Sequence, residues 1–212
     1  MSPETRAGGA REEPEEGFRI SGNGVLGSLS EDQIQGTIQQ RWPEIQRCKT
    51  QVRPPWYIGG RVALHFRISR DGDVKKLSID ESQLGNWSIE RCLLSIARTL
   101  HFSHPRGGEA EFSYPIEFPA RAQVTEWTPE QISADIVKHR KELAQCDRVG
   151  ARHPYKLTVY LGAGGKVVSA GIAFPDEIDE AYIDCVISKA QTWKFTDPLG
   201  IVVRATYPFG RR

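Results

Sequence analysis

The side chains with the widest chemical range in this sequence are its four cysteines, Cys48, Cys92, Cys146 and Cys185. A thiol can act as nucleophile, metal ligand, redox partner or half of a disulfide, and spacing decides among these roles. No Cys-x-x-Cys pair occurs, which removes the usual signature of thiol redox catalysis and weakens any metal reading. Cys48 and Cys92 stand 44 residues apart, and Cys146 and Cys185 stand 39 apart. We read each pair as a disulfide, because closing a loop of that length adds about 4 kcal/mol in the chain-entropy account, a large share for a small unit with a limited core. The competing reading is four buried free thiols serving as small hydrophobes.

Other chemistry-bearing motifs fail on inspection. Asp71-Gly72-Asp73 looks like the start of a calcium loop, but no bidentate glutamate follows at the required spacing. Gly162-Ala163-Gly164-Gly165-Lys166 resembles a phosphate-binding loop, yet Val167 stands where a Ser or Thr is needed, and the following pattern is a strand rather than a helix. His101 and His104 suggest acid-base work, but they read as loop residues, and no Ser/His/Asp order emerges. The sequence therefore implies no enzyme, no metal and no cofactor.

The elements that position these residues come from an internal repeat. Ser30, Ile34, Ile38, Ile45 and Cys48 recur as Thr128, Ile132, Ile136, Leu143 and Cys146, each 98 positions later. After a shorter loop the offset becomes 93, and Gly72, Val74, Ile79, Cys92, Phe102, Pro105 and Tyr114-Pro115 recur as Gly165, Val167, Ile172, Cys185, Phe195, Pro198 and Tyr207-Pro208. In each copy a polar cap precedes a helix with apolar residues at helical spacing, Ile34, Ile38, Trp42 and Ile45 in the first. Strict alternation over Val62, Leu64, Phe66 and Ile68 predicts a half-buried strand, and Asp71-Gly72 turns it into a second. A second helix carries Ile89, Leu93, Ile96 and Leu100, and its counterpart spans about 178–194. A final strand closes each copy, over 109–118 and 201–209. The fold class is α+β, two tandem αββαβ domains, each a three-stranded sheet with helices on one face. The crossover through the second helix predicts strand order 2-1-3 with one parallel and one antiparallel pairing.

The chain has 212 residues with 28 basic and 27 acidic side chains, a net charge of +1. A phosphate-binding domain normally shows a basic excess, so nucleic acid is not an expected partner. No apolar run reaches the length of a membrane span, and the start lacks the pattern of a secretory signal. Residues 1–24 hold Glu4, Glu12, Glu13, Glu15 and Glu16 among Pro, Gly, Ala and Ser. That stretch reads as a disordered acidic tail, with docking to a basic partner as the alternative. The expected organisation is tail 1–24, first repeat 25–118, linker 119–127 and second repeat 128–209.

Order 2-1-3 places the last strand of each copy at a sheet edge, where free backbone groups can pair with an extended partner peptide. Pro115 and Pro208 support the edge position, since proline cannot donate to a ladder. The candidate binding residues are Glu111, Ser113, Tyr114 and Glu117 in the first copy, and Val202, Arg204, Thr206 and Tyr207 in the second. The first edge reads as acidic and the second as mildly basic. The competing reading is that proline and glutamate protect the edges from aggregation.

Taken together, Ile45-Gln46-Arg47-Cys48, Gly60-Arg61-Val62, Asp71-Gly72, Cys92, Phe102, Pro105, Gly107 and Tyr114-Pro115 resemble the AgmX/PglI C-terminal domain of myxobacterial gliding-motility proteins, a relative of the TonB C-terminal domain. Cys146, Gly165-Lys166-Val167, Cys185, Trp193-Lys194-Phe195, Pro198, Gly200 and Tyr207-Pro208-Phe209 carry the same resemblance in the second copy. Leu100-His101-Phe102 departs from the family's aromatic before a basic residue, and the second copy lacks the turn Asp. The resemblance implies a non-catalytic periplasmic protein-binding module of an envelope-spanning energy-transduction or gliding-motility machine, with envelope proteins as partners and no membrane insertion. A structural or cell-wall-contacting spacer is the alternative function, and the cytoplasm is the alternative location.

Overall fold

A computed structural model describes residues 27–52, 55–146, 154–176 and 179–209. The acidic segment 1–24 lies outside the described residues. In chain order the elements are α1 (Glu31–Gln40), α2 (Trp42–Val52), β1 (Gly60–Ile68), β2 (Val74–Ser82), α3 (Trp87–Ala97), β3 (Ala110–Phe118), β4 (Thr125–Trp127), α4 (Pro129–Leu143), β5 (Tyr155–Leu161), β6 (Val167–Ala173), α5 (Glu180–Thr192) and β7 (Val203–Phe209).

Local chemistry explains most boundaries. Ser30 caps α1 in a reciprocal box with Gln33, and Thr128 N–H donates to Gln131 Oε1 at 2.8 Å ahead of α4. The single first helix expected in copy one is broken at Arg41. Pro43 is the cause: it has no N–H to give and its ring collides with the preceding turn, so it fits only the first turn of a new helix. Copy two has Lys141 at the matching place, and α4 runs on unbroken. The hairpin glycines are used identically. Gly72 and Gly165 have φ of +93° and +70°, and a Cβ at either would sit 2.0 or 1.9 Å from the carbonyl oxygen of Phe102 or Phe195. Those phenylalanines donate their N–H back to Gly72 and Gly165 at 2.8 and 2.9 Å, clamping each turn to the loop before the last strand.

The sheets have orders β2-β1-β3 and β4-β7-β5-β6. Within each copy the order is thus the expected 2-1-3, but both pairings are antiparallel. The crossover helix leaves β2 and β3 parallel to each other with antiparallel β1 between them, so the expected parallel neighbour is absent. Among the described residues, the parallel strand pair is β4 with β7, where Thr125, Glu126 and Trp127 stand opposite Val203, Arg204 and Ala205. The expected linker 119–127 therefore ends in a strand of the second sheet.

Val62, Leu64, Phe66 and Ile68 are buried beneath the helices, and Phe66 stacks on Phe112 at 5.1 Å. Both disulfides are formed on this side: Cys48–Cys92 joins α2 to α3, and Cys146–Cys185 joins the turn after α4 to α5. Helices cover one face of the first sheet, as expected. The second sheet corrects that reading, because its other face is covered by copy one. Thr158 Oγ1 donates to Ser82 O at 3.1 Å, Ser169 Oγ donates to Gly85 O at 2.6 Å, and Ile79 and Phe174 exchange backbone hydrogen bonds. One continuous apolar core spans both copies.

Candidate functional site

The site expected from sequence is the last strand of each copy, and the two have different surroundings. In β3 the side chains that alternate away from the core meet the open face of the first sheet. Glu111 Oε1 lies 2.7 Å from His65 Nε2, and Ser113 Oγ lies 3.0 Å from His65 Nδ1 while donating to Asp80 Oδ2 at 2.6 Å. Glu109 accepts from Arg67 at 2.8 Å and Lys75 at 2.7 Å. Hydrogen bonding to Asp80, and then to Glu111, raises the His65 pKa above its ordinary value despite partial burial. Burial pushes Asp80 upward, but His65 and Ser113 outweigh it and hold the carboxyl below its usual range. Glu109 and Glu111, at one end of the edge read as acidic, are therefore ion-paired within the sheet. Ser113, His65 and Glu111 stand in line, with the Ser113 hydroxyl donating to Asp80 rather than to the imidazole.

Tyr114 faces the other way, half-buried against the core and hydrogen-bonded to Gln39, and burial raises its phenol pKa. Glu117 is exposed at the far end of β3, opposite Arg61 of β1. Pro115 pairs with Ala63, so its missing N–H falls on the outer side, together with the backbone groups of Ser113 and Glu117. Among the described residues, the outer edge of β3 meets only Gly27, which bridges to Ala110 and donates to Glu109 O at 2.6 Å.

In the second copy the edge is partly taken. β4 covers Val203 to Ala205, so β7 is not the free edge strand expected there. Arg204, expected to give this edge a basic character, is spent inside the molecule. It pairs with Glu126 and donates to Gly59 O at 3.2 Å and Gln83 O at 3.0 Å. Thr206 is 2.9 Å from Thr158, and Val202 and Tyr207 pack against the core. The repeat makes the two edges comparable, since Gly27 opposite Ala110 is the counterpart of Thr125 opposite Val203.

A cleft of about 720 Å³ opens beside Ser113, between the open face of the first sheet and the rim of the second. Arg61, Asp80, Ser113 and Pro115 line one side, and Lys156 and Pro208 the other. His101 and Asp73, 2.9 Å apart, form an exposed pair at the hairpin turn, away from this cluster. Among the described residues no group of three or more His, Cys, Asp and Glu side chains could hold a metal ion.

Sequence reasoning passed over His65, Asp80 and the buried Glu90. Glu90 accepts from Ser82 Oγ at 2.6 Å and from Ile172 N–H, across the junction, at 3.0 Å. Burial pushes its carboxyl up to about 7. Its repeat counterpart is Ile183, and that charged-for-apolar exchange at a core position was the available signal. No protein-family model, curated protein or solved structure matches the chain.

Proposed function

We propose that the chain is a non-catalytic protein-binding module of the cell envelope that takes an extended partner segment along the outer edge of β3, between Ser113 and Glu117. The observation that carries this reading is the β4–β7 pair: at the matching edge of the second copy, an extended segment lies in place and pairs with the last strand. Backbone pairing supplies affinity in this mode, and alternate side chains supply selectivity. The resemblance to tandem AgmX/PglI and TonB C-terminal domains gives the same function, a periplasmic place in an energy-transduction or gliding-motility machine. Two disulfides suit an oxidising compartment, and no helix among the described residues is long and apolar enough to cross a membrane.

The test is selection of peptides from a displayed random library on the intact chain, compared among Ser113→Pro, Ser113→Ala and Thr206→Pro. Loss with Ser113→Pro and retention with Ser113→Ala assigns binding to the backbone of this edge, since alanine keeps the N–H and removes only the hydroxyl. Thr206→Pro is expected to retain the peptides. Retention by a folded Ser113→Pro variant overturns strand addition. A specific observation favours the spacer reading as second: Pro115 interrupts the outer row of donors, and Glu109 and Glu111 are already ion-paired, as on an edge protected against pairing.

A further inference from the structure

We propose that Trp56, Lys49 and Arg121 form a docking surface for an acidic protein segment, separate from the β3 edge. Trp56 is 60% exposed, unusual for so large an apolar side chain. It is nonetheless held in place. Its ring meets Tyr57 edge-on at 5.6 Å, Tyr57 lies 5.7 Å from the fully buried Tyr160 of the second copy, and Trp56 O accepts from Arg121 N–H at 3.0 Å. The indole is thus an exposed end of an aromatic chain rooted in the junction between the copies.

Two cations converge on the same place. Lys49 Nζ donates to Pro119 O at 2.5 Å, two residues from Arg121. Burial lowers the Lys49 pKa, and the nearby Arg121 charge lowers it further. Among the described residues neither cation has a carboxylate within ion-pair distance, whereas Arg41, Arg67, Lys75, Arg91, Arg98 and Arg204 all do. Here a crowded pair is left uncompensated, where the backbone of Arg121 meets that of the exposed Trp56. Trp, Tyr and Arg are the side chains that most often carry binding energy at protein interfaces. An unneutralised pair attracts a partner of opposite charge and speeds its encounter. Two cations are too few for a nucleic-acid backbone, which needs a longer row of phosphate contacts. The fitting occupant is therefore a protein segment with acidic residues flanking an apolar one.

The experiment is selection of a displayed random twelve-residue peptide library on the intact chain, followed by affinity measurement on two variants checked by circular dichroism, Trp56→Ser and the double reversal Lys49→Glu/Arg121→Glu. Enriched peptides are expected to be net acidic with an apolar residue, to bind about tenfold more weakly to either variant, and to weaken with added salt. The charge reversal touches exposed and half-buried groups, so it keeps the test decisive if Trp56→Ser folds poorly. Absence of acidic enrichment, or acidic peptides held equally by the folded reversal variant, overturns the proposal. So does equal or tighter binding of a single-stranded oligonucleotide. Peptides lost with Ser113→Pro but indifferent to Trp56 and Lys49/Arg121 belong to the β3 edge, and leave this surface without the ligand claimed for it.

Discussion

The same face of the same sheet is wet in the first copy and dry in the second. At matching repeat positions the first copy carries His65, Arg67, Lys76, Ser78, Asp80, Glu111 and Ser113, while the second carries Thr158, Tyr160, Ser169, Gly171, Ala173, Arg204 and Thr206. In the first set His65, Arg67, Asp80 and Glu111 form ion pairs on an open face, while Ser78 at its margin is buried against Pro175 of the second copy. Apart from Arg204, the second set is small or hydroxylic, and copy one's segment from Ser82 to Glu90 packs onto it. Gly171 shows how close the approach is: a Cβ there would lie 2.4 Å from Glu90 Oε1 and 2.5 Å from Asn86 N. A duplicated domain has thus been specialised by exchanging one face. One copy became the platform on which the other rests, and the other kept its face available.

The largest effect tests what the copies still share. Cys92→Ser and Cys185→Ser each release a loop of about 40 residues and are expected to lower unfolding free energy by about 4 kcal/mol, nearly equally, in oxidising buffer. Urea titrations with and without reductant check this, because the difference should vanish when thiols are reduced. Equal losses in both buffers would trace the effect to packing.

The next three bear on the difference. Glu90 has a native pKa of about 7 against an unfolded value near 4.5, so the native state holds the proton more tightly. Its contribution is undiminished below the unfolded value and falls as pH rises toward the native value, by about 3 kcal/mol in all. Urea titrations from pH 4 to 8 should show this slope, and Glu90→Gln should flatten it. Gly171→Ala, which forces a methyl against Glu90 and the Asn86 backbone, is expected to cost about 2 kcal/mol. Ser78→Ala, at the matching position in copy one, removes a hydroxyl bonded to Pro175 O at 3.2 Å and should cost about 1 kcal/mol. Equal costs would dissolve the asymmetry between the faces. The smallest effect is at His65, where the stabilisation is complete below the unfolded pKa near 6.5 and fades as pH rises through the raised native value. An NMR titration of its imidazole should move downward in Asp80→Asn.

Much of this was legible in residue order. Helical spacing of Ile34, Ile38 and Ile45, alternation from Val62 to Ile68, the turn glycines and the repeat gave the elements, their order and the cysteine pairing, because each depends on neighbours a few residues away or on comparison of one copy with the other. The signal for the dry face was present too: β5 reads Leu157-Thr158-Val159-Tyr160-Leu161, apolar or small on both faces, as in strands covered on both sides. It gained meaning only beside the alternation of β1.

What the sequence by itself determined is the unit: a twice-used αββαβ arrangement, stapled through its helices, with a proline in each last strand. Only the tertiary structure decided how the units meet. It placed three residues of the expected linker on the edge of β7, turned Arg204 inward to Gly59 and Gln83, and set Glu90 against the Ile172 amide. The physical reason is distance along the chain. These contacts join residues from 78 to 145 positions apart, and their strength lies in desolvation and hydrogen-bond geometry, which exist only once both surfaces are folded and brought together.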